Sequence, residues 1–565
     1  MKRRIFAIVL AIAMLCPMML TGCNTNTEET SELNNEQTTR ATVSINMWVV
    51  TDKNTTEDAK AAVEEEFNRI TKSSFTTKVD LVFVTEDEYV EALNNKFEAA
   101  AEAKANNNTP ATPESTDDTT VVEELETNEY GVSVLKYPEI TEDQIDIVYI
   151  QGFDHLYDLV KGGTTSKLKN LNEHISNTGR AKILTDVIGN DLFKYTKIDG
   201  NTYGIPNNRV VGEYTYLLVS KEIVGGDANG DGTVSPDEIN GTYYNFNDIS
   251  TFFDCAELID YVKNNRSDLV PVLEKFDNPY IYYWDDNSEF SILGSKATFN
   301  SQKANANDEY FMKNIFTIKE FTEFELLMKK YETNGYFAAD ADKAKEAQNF
   351  GVAVMSGDST SPEEYSDKYF IKVISTPTLT NENVFTSFFG ITEYCKNVDR
   401  ALEIITMLNT DSELRNVLQY GVDGVHYELD ENERVERFNK DYIMNIENTG
   451  NVFIAYPEEG MDDDVWTRGV KSNLDLRVHA LTGLWNDWLK VDKDILTNLS
   501  NQSKSFKDRL DACKTVEELQ TFFETAKAEV DENEAFKAAT STENAASPKA
   551  VYSKWYTTNW PTADV

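Results

Sequence analysis

Twelve consecutive residues, Asp227-Ala228-Asn229-Gly230-Asp231-Gly232-Thr233-Val234-Ser235-Pro236-Asp237-Glu238, match the calcium-loop pattern D-x-[DN]-x-[DN]-G-x5-E in full. Calcium takes about six to eight hard oxygen ligands at roughly 2.3–2.6 Å. Asp227, Asn229 and Asp231 would offer side-chain oxygens from alternate positions, and Glu238 both of its carboxylate oxygens. Thr233 would give its carbonyl and Ser235 a hydroxyl or a bridging water, while Gly232 permits the sharp turn. A bound Ca²⁺ is the expectation. Positions 214–221 read as a strand, so no long helix leads into the loop, and the sequence holds no second copy of it. The site therefore reads as a structural clip rather than a switch.

No catalytic pattern accompanies it. His155, His174, His426 and His479 show no ligand spacing. There is no G-x-S-x-G, no H-E-x-x-H, no Walker loop and no G-x-G-x-x-G opening a helix after a strand. A glycosidase needs two carboxylates held across a cleft. With 97 acidic residues such a pair is not excluded, but nothing singles one out, and Asp285-Asp286 reads as a solvated turn. The formal net charge of −44 repels nucleic acid and anionic lipid.

The chain starts with Lys2, Arg3 and Arg4, continues with an apolar run over positions 5–20, and reaches Leu20-Thr21-Gly22-Cys23. A basic start, an apolar core and small residues before a cleavage point describe a secretory signal, and the run is short for a spanning helix. Leu-Thr-Gly-Cys resembles the lipobox of bacterial lipoproteins. The resemblance implies a signal peptide at 1–22, cleavage before Cys23 and acylation of that residue. The protein would then be lipid-anchored at the extracellular face of the cytoplasmic membrane. A cleaved secretory peptide with a chance cysteine is the plainer alternative. Positions 23–40, rich in Asn, Thr and Glu, read as a disordered tether. Cys255, Cys395 and Cys513 remain, odd in number and widely spaced, so no disulfide framework follows. Cys255 and Cys395 lie in apolar helical patterns and read as buried free thiols, with one bridge still open.

The 565 residues exceed what one hydrophobic core usually holds. Positions 43–50 read as a strand, Ala59, Val63, Phe67 and Ile70 mark a helix, 79–84 a second strand and 88–103 a second helix. Strand, helix, strand, helix opens an α/β domain with parallel strands. Positions 105–130 read as a mobile insertion, and 145–150 as the next buried strand before a helix ending near Gly162-Gly163. Strands are expected at 214–219, 351–355 and 370–375, a helix at 397–408, mainly helical structure over 245–350 with aromatic loops, and a helix-rich C-terminal third.

Several segments together resemble extracellular solute-binding proteins of ABC importers, in the large sugar-binding family related to maltodextrin-binding proteins. They are Ile145-Asp146-Ile147-Val148-Tyr149 before Gly152-Phe153, and Asp199-Gly200-Asn201-Thr202-Tyr203-Gly204-Ile205-Pro206 followed by Tyr216-Leu217-Leu218-Val219-Ser220-Lys221. Phe389-Gly390-Ile391-Thr392 running on to Asn397-Val398-Asp399-Arg400-Ala401-Leu402-Glu403, and Gln419-Tyr420-Gly421-Val422-Asp423-Gly424-Val425-His426-Tyr427, complete the set. The resemblance implies an α/β, two-lobed periplasmic-binding-protein-like fold with discontinuous lobes, a hinge and an interlobe cleft. Lobe one would take 41–208 and 376–430, and lobe two 209–375 and 431–565. The protein would be a monomer that captures a carbohydrate and delivers it to the membrane permease subunits of an ABC importer.

A sugar cleft needs aromatic plates for CH faces and planar polar groups for hydroxyls. On that reasoning the candidates are Trp48 at a strand end, Phe153 and Asp154 after another strand, and Asn207, Asn208 and Arg209 at a crossing. Tyr283, Trp284 and Phe388 join them, and the resemblance adds Gly357 and Asp358, where the family brings backbone to the ligand, and Trp466 near an expected third crossing, whereas Trp485 and Trp488, at helical spacing, read as packing. Two other readings stay open: the same fold holding a peptide or other solute or serving a sensor, and a secreted carbohydrate-active enzyme. The acidic composition disfavours polyanionic ligands only if the cleft shares it, and a local Arg209 could reverse it.

Overall fold

The computed structural model describes residues 40–106, 125–127, 133–177, 179–225, 245–284, 290–296, 312–479 and 481–559. Residues 1–22, read as a signal peptide, Cys23, and residues 227–238, read as a calcium loop, lie outside the described residues. Among these residues the two larger sheets are built from β1 (Val43–Thr51), β2 (Thr77–Thr85), β3 (Ile147–Gln151), β4 (Gly204–Pro206), β5 (Tyr214–Ser220), β6 (Val270–Val272), β7 (Phe350–Gly357), β8 (Tyr369–Ser375) and β9 (Ser387–Ile391). The first sheet has the order β2-β1-β3-β9-β4 and the second β8-β5-β7-β6.

In the first sheet β1 pairs in parallel with β2 and β3, while β9 runs antiparallel to both β3 and β4. β1 is buried along nearly its whole length, as a strand covered on both faces requires. Helix α1 (Glu57–Phe75) starts where the Thr56 hydroxyl accepts from the Ala59 N–H, with Glu57 and Asp58 in the first turn. It buries Ala59, Val63, Phe67 and Ile70, the expected stripe. Its Asn68 amide donates to the Val79 carbonyl at 2.6 Å and accepts from the Val79 N–H at 2.7 Å. The Glu64 carboxylate accepts from the Leu81 N–H. These side chains cover the free edge of β2, which would otherwise present unpaired backbone groups.

Asp146, just before β3, ties three segments together. Its carboxylate accepts from the Asn46 N–H (2.9 Å), the Gln144 amide (2.7 Å) and the Lys396 N–H (3.0 Å). Burial pushes its pKa up in spite of those donors. Cys395 neighbours this carboxylate and is a free thiol in a turn rather than the helix expected, because the chain leaves β9 and does not enter helix until Val398. Cys255 and Cys513 are also free.

The second lobe holds a mainly antiparallel sheet and a distinct aromatic core. Residues 281–314, expected as helix and loop, instead include the antiparallel strands Ile281–Tyr283, Leu293–Lys296 and Lys313–Asn314. Ile and Tyr favour a pleated, half-buried surface, and here the C-terminal helices supply the cover. Phe316 packs against Phe506, Phe522 and Phe523, and Trp284 against Tyr552.

The boundary expected at 430 also differs. Tyr442 donates to the Leu418 carbonyl, Gln419 to that of Met444, and Arg415 to that of Ile446. Residues 441–449 therefore pack on the first lobe, because buried polar side chains of helix Ser412–Tyr420 need those carbonyls.

Asp146→Ala would leave two backbone N–H groups and an amide without their acceptor. The expected loss is about 3 kcal/mol of stability, read by urea unfolding.

Candidate ligand cleft

The carboxyl ends of β1, β2 and β3 lie at one edge of the first sheet. Ser387 of β9 pairs with Gln151 there, and Pro206 of β4 lies beside Phe388. At the second sheet, Tyr214, Gly357 and Ser375 share one edge, since Tyr214 pairs with Gly357 and Thr215 with Ser375. The chain runs between these two edges at 207–213 and again at 376–386. Both edges therefore bound one cleft, the place where open α/β sheets bind ligands.

The crossings are tied to each other. The Arg209 guanidinium donates to the Thr386 hydroxyl (2.6 Å), the Asn383 carbonyl (2.6 Å) and the Val210 carbonyl (2.8 Å). Burial lowers its pKa from the usual arginine range, with Glu447 opposing. Asn473 bridges the Arg209 carbonyl and the Val211 N–H, and Arg477-Val478 pair in parallel with Thr378-Leu379. A third segment, with helix α2 (Val465–Leu474), thus joins the first two.

On the first lobe a cavity of about 350 Å³ is lined by Thr51, Asp52, Lys53, Thr85, Glu86, Asp87 and the loop residues Met444, Asn445 and Asn448. That loop is held from beneath. Its Met444, Ile446 and Glu447 carbonyls accept from Gln419, Arg415 and Ser387, and the Thr449 hydroxyl donates to the Gln419 side chain at 2.6 Å. With the carbonyls turned inward, the amide of Asn445 stays exposed and that of Asn448 half-buried. Rigid amides beside hydroxyl and carboxylate groups suit a ligand rich in hydroxyls.

The expected contact residues divide. Asn207, Asn208 and Arg209 are buried and serve the crossings: Asn207 donates to Ser387 and the Glu447 carbonyl, and Asn208 to the Val187 carbonyl. Trp48 is 9% exposed and packs in the core, because β1 continues three residues past it. Phe388 is fully buried against Gly204. Trp284 is 2% exposed, its indole N–H donating to Ser295 at 2.9 Å, so it belongs to the aromatic core. Phe153 packs on Phe385 and Trp485. Asp154 lines a separate hollow of about 300 Å³ with His155 and Lys167, and Tyr283 another of about 170 Å³ with Asn381 and His479.

Gly357 closes β7 at the edge it shares with Tyr214, and Asp358 follows it. Burial alone would raise the Asp358 pKa; donors on Thr360 and Ser361, with Arg468, outweigh it and hold it below the usual range. Trp466 is half-buried, with its ring edge-on to Phe453, and its indole N–H is buried without a partner. The sequence reading missed Asp52, Lys53, Thr85, Asp87, Asn445 and Asn448. Ending β1 at Thr51 and β2 at Thr85 would have found the first four.

No family model matches the chain. A carbohydrate ABC transporter substrate-binding protein of Streptococcus pneumoniae serotype 4 is 26% identical over 167 residues, which is 26% of this chain and 34% of that protein. The alignment thus spans about a third of that relative. The crystal structure of an N-glycan transport solute binding protein from Streptococcus pneumoniae superposes with a TM-score of 0.51 at 16% identity, covering 88% of this chain and 96% of that one. An extracellular solute-binding protein from Bifidobacterium longum subsp. infantis gives 0.43 at 13% identity. The fold is that of the two-lobed solute-binding proteins.

Two outcomes follow. Asn448→Ala should weaken ligand binding about tenfold with under about 1 kcal/mol change in stability, whereas Arg209→Met should cost about 2–3 kcal/mol by leaving hinge carbonyls unpaired. Calorimetry and urea unfolding separate the two effects. Burial lowers the His155 pKa to about 4. The unfolded imidazole takes its proton near pH 6.5 and the folded one only near 4, so stability should fall as pH drops through that window, and His155→Gln should flatten the decline in a melting series.

Proposed function

We propose that this protein is a non-catalytic, extracellular solute-binding component that captures an oligosaccharide between its lobes and hands it to the membrane subunits of an ABC importer. The observation that carries the reading is the cavity at the carboxyl edge of the first sheet, lined in part by the pinned 444–449 loop, in a chain whose two sheets are joined by hydrogen-bonded crossings. Hinge closure would exchange water for protein on both faces of a ligand. The name of the partly aligned carbohydrate-transport relative supports the sugar class. Against an enzyme stands the use of the buried polar groups around the crossings, which hold the crossings and the loop.

Anchoring at Cys23 and a structural Ca²⁺ held by Asp227, Asn229, Asp231, Thr233, Ser235 and Glu238 belong to the same proposal. Both rest on motif and spacing. Among the described residues no helix is long and apolar enough to cross a membrane.

A melting screen of the purified protein tests this, with neutral oligosaccharides and short peptides, each with calcium or chelator. A ligand that binds only the folded state raises the melting temperature by mass action. The expected result is a rise with one sugar class, unchanged sugar afterwards, and a separate rise with calcium alone. A rise with peptides only, or consumption of the sugar, would contradict the reading.

A further inference from the structure

The cleft's charge is uneven in a way that selects among sugars. At the first-lobe cavity Lys53 is the one cation among the described lining residues, against Asp52, Glu86 and Asp87. Arg209 donates to two carbonyls and a hydroxyl at the crossings and is 8% exposed, so its charge is not offered to a ligand; Arg477, exposed beside Thr378, lies outside the lining of this cavity. On the second lobe Arg468 is enclosed by Asp358 (3.2 Å), Asp462 (2.6 Å) and Asp464 (3.2 Å). Glu447 sits on the pinned loop, close enough to act on both Arg209 and Tyr149.

We infer that the cleft accepts neutral or amine-bearing glycans and rejects those carrying carboxylates. This rests on the oligosaccharide reading above and narrows it. A ligand carboxylate entering the cavity would meet three carboxylates against one ammonium, and the guanidiniums of Arg209 and Arg468 are already engaged. Like charges brought together in a partly desolvated site oppose binding, while amides and hydroxyls remain suited to sugar hydroxyls.

The test uses gluco-, manno- and N-acetylglucosamine oligosaccharides of two to five sugars in three forms: the parent CH2OH sugar, its C6-carboxylate and its C6-ammonium. Calorimetric titration is run near physiological and at high salt, on the protein and on the Asp52→Asn/Asp87→Asn variant. A parent sugar is expected to bind, its ammonium form at least as tightly, and its carboxylate form about tenfold or more weakly. High salt and the double variant should both pull the carboxylate-to-parent ratio toward one, because screening and charge removal act on repulsion and not on shape. Equal or tighter binding of the carboxylate form would overturn the inference and leave the sugar reading standing. So would a ratio that neither salt nor the variant changes. Failure of every sugar in all three forms would remove the sugar reading, and the inference with it.

Discussion

Two separate cores have to be joined by crossing segments, and the buried Arg209 guanidinium ties those segments to each other. A charged group this enclosed is tolerated only when its donors find acceptors. Here they find them on its own crossing and on the 383–386 segment of the second. Asn473 and the short Thr378–Leu379 pairing with Arg477–Val478 add the third segment. The junction resists splaying through directional bonds together with the packing of Val211, Leu379, Val384 and Phe385 into the first core. Such a joint can bend about a few backbone angles while keeping both sheets' edges on one cleft.

Much of this was legible in the sequence. The strand–helix alternation from position 43 follows from hydrophobic period, whereas the crossing near Asn207 and the return strand at Phe389-Gly390-Ile391 are read from the family resemblance. The contact residues were harder to read. Trp48, Trp284 and Phe388 look like sugar plates in a string of letters, yet each sits where a sheet needs apolar volume. Nothing local distinguishes a cleft indole from a core indole. The Asn445–Asn448 stretch was invisible for a different reason. Its inward carbonyls are set by Gln419, Arg415 and Ser387, which lie far away or on another element.

Asn207 to Arg209 read as ligand contacts at a crossing, and in the structure they sit at the crossing with their side chains bonded within the protein. The polar run marks the crossing, but in the folded chain its side chains face the crossing's own backbone and neighbouring segments. With Arg209 engaged by the joint, Asp52, Glu86 and Asp87 outnumber Lys53 in the lining of the first-lobe cavity.

The central claim is capture by closure between lobes, and solution X-ray scattering of the protein with and without a saturating oligosaccharide tests it most directly. Contraction of the radius of gyration on binding, reversed when the sugar is dialysed away, is the predicted result. Binding with no change in dimensions would contradict closure as the mode of capture.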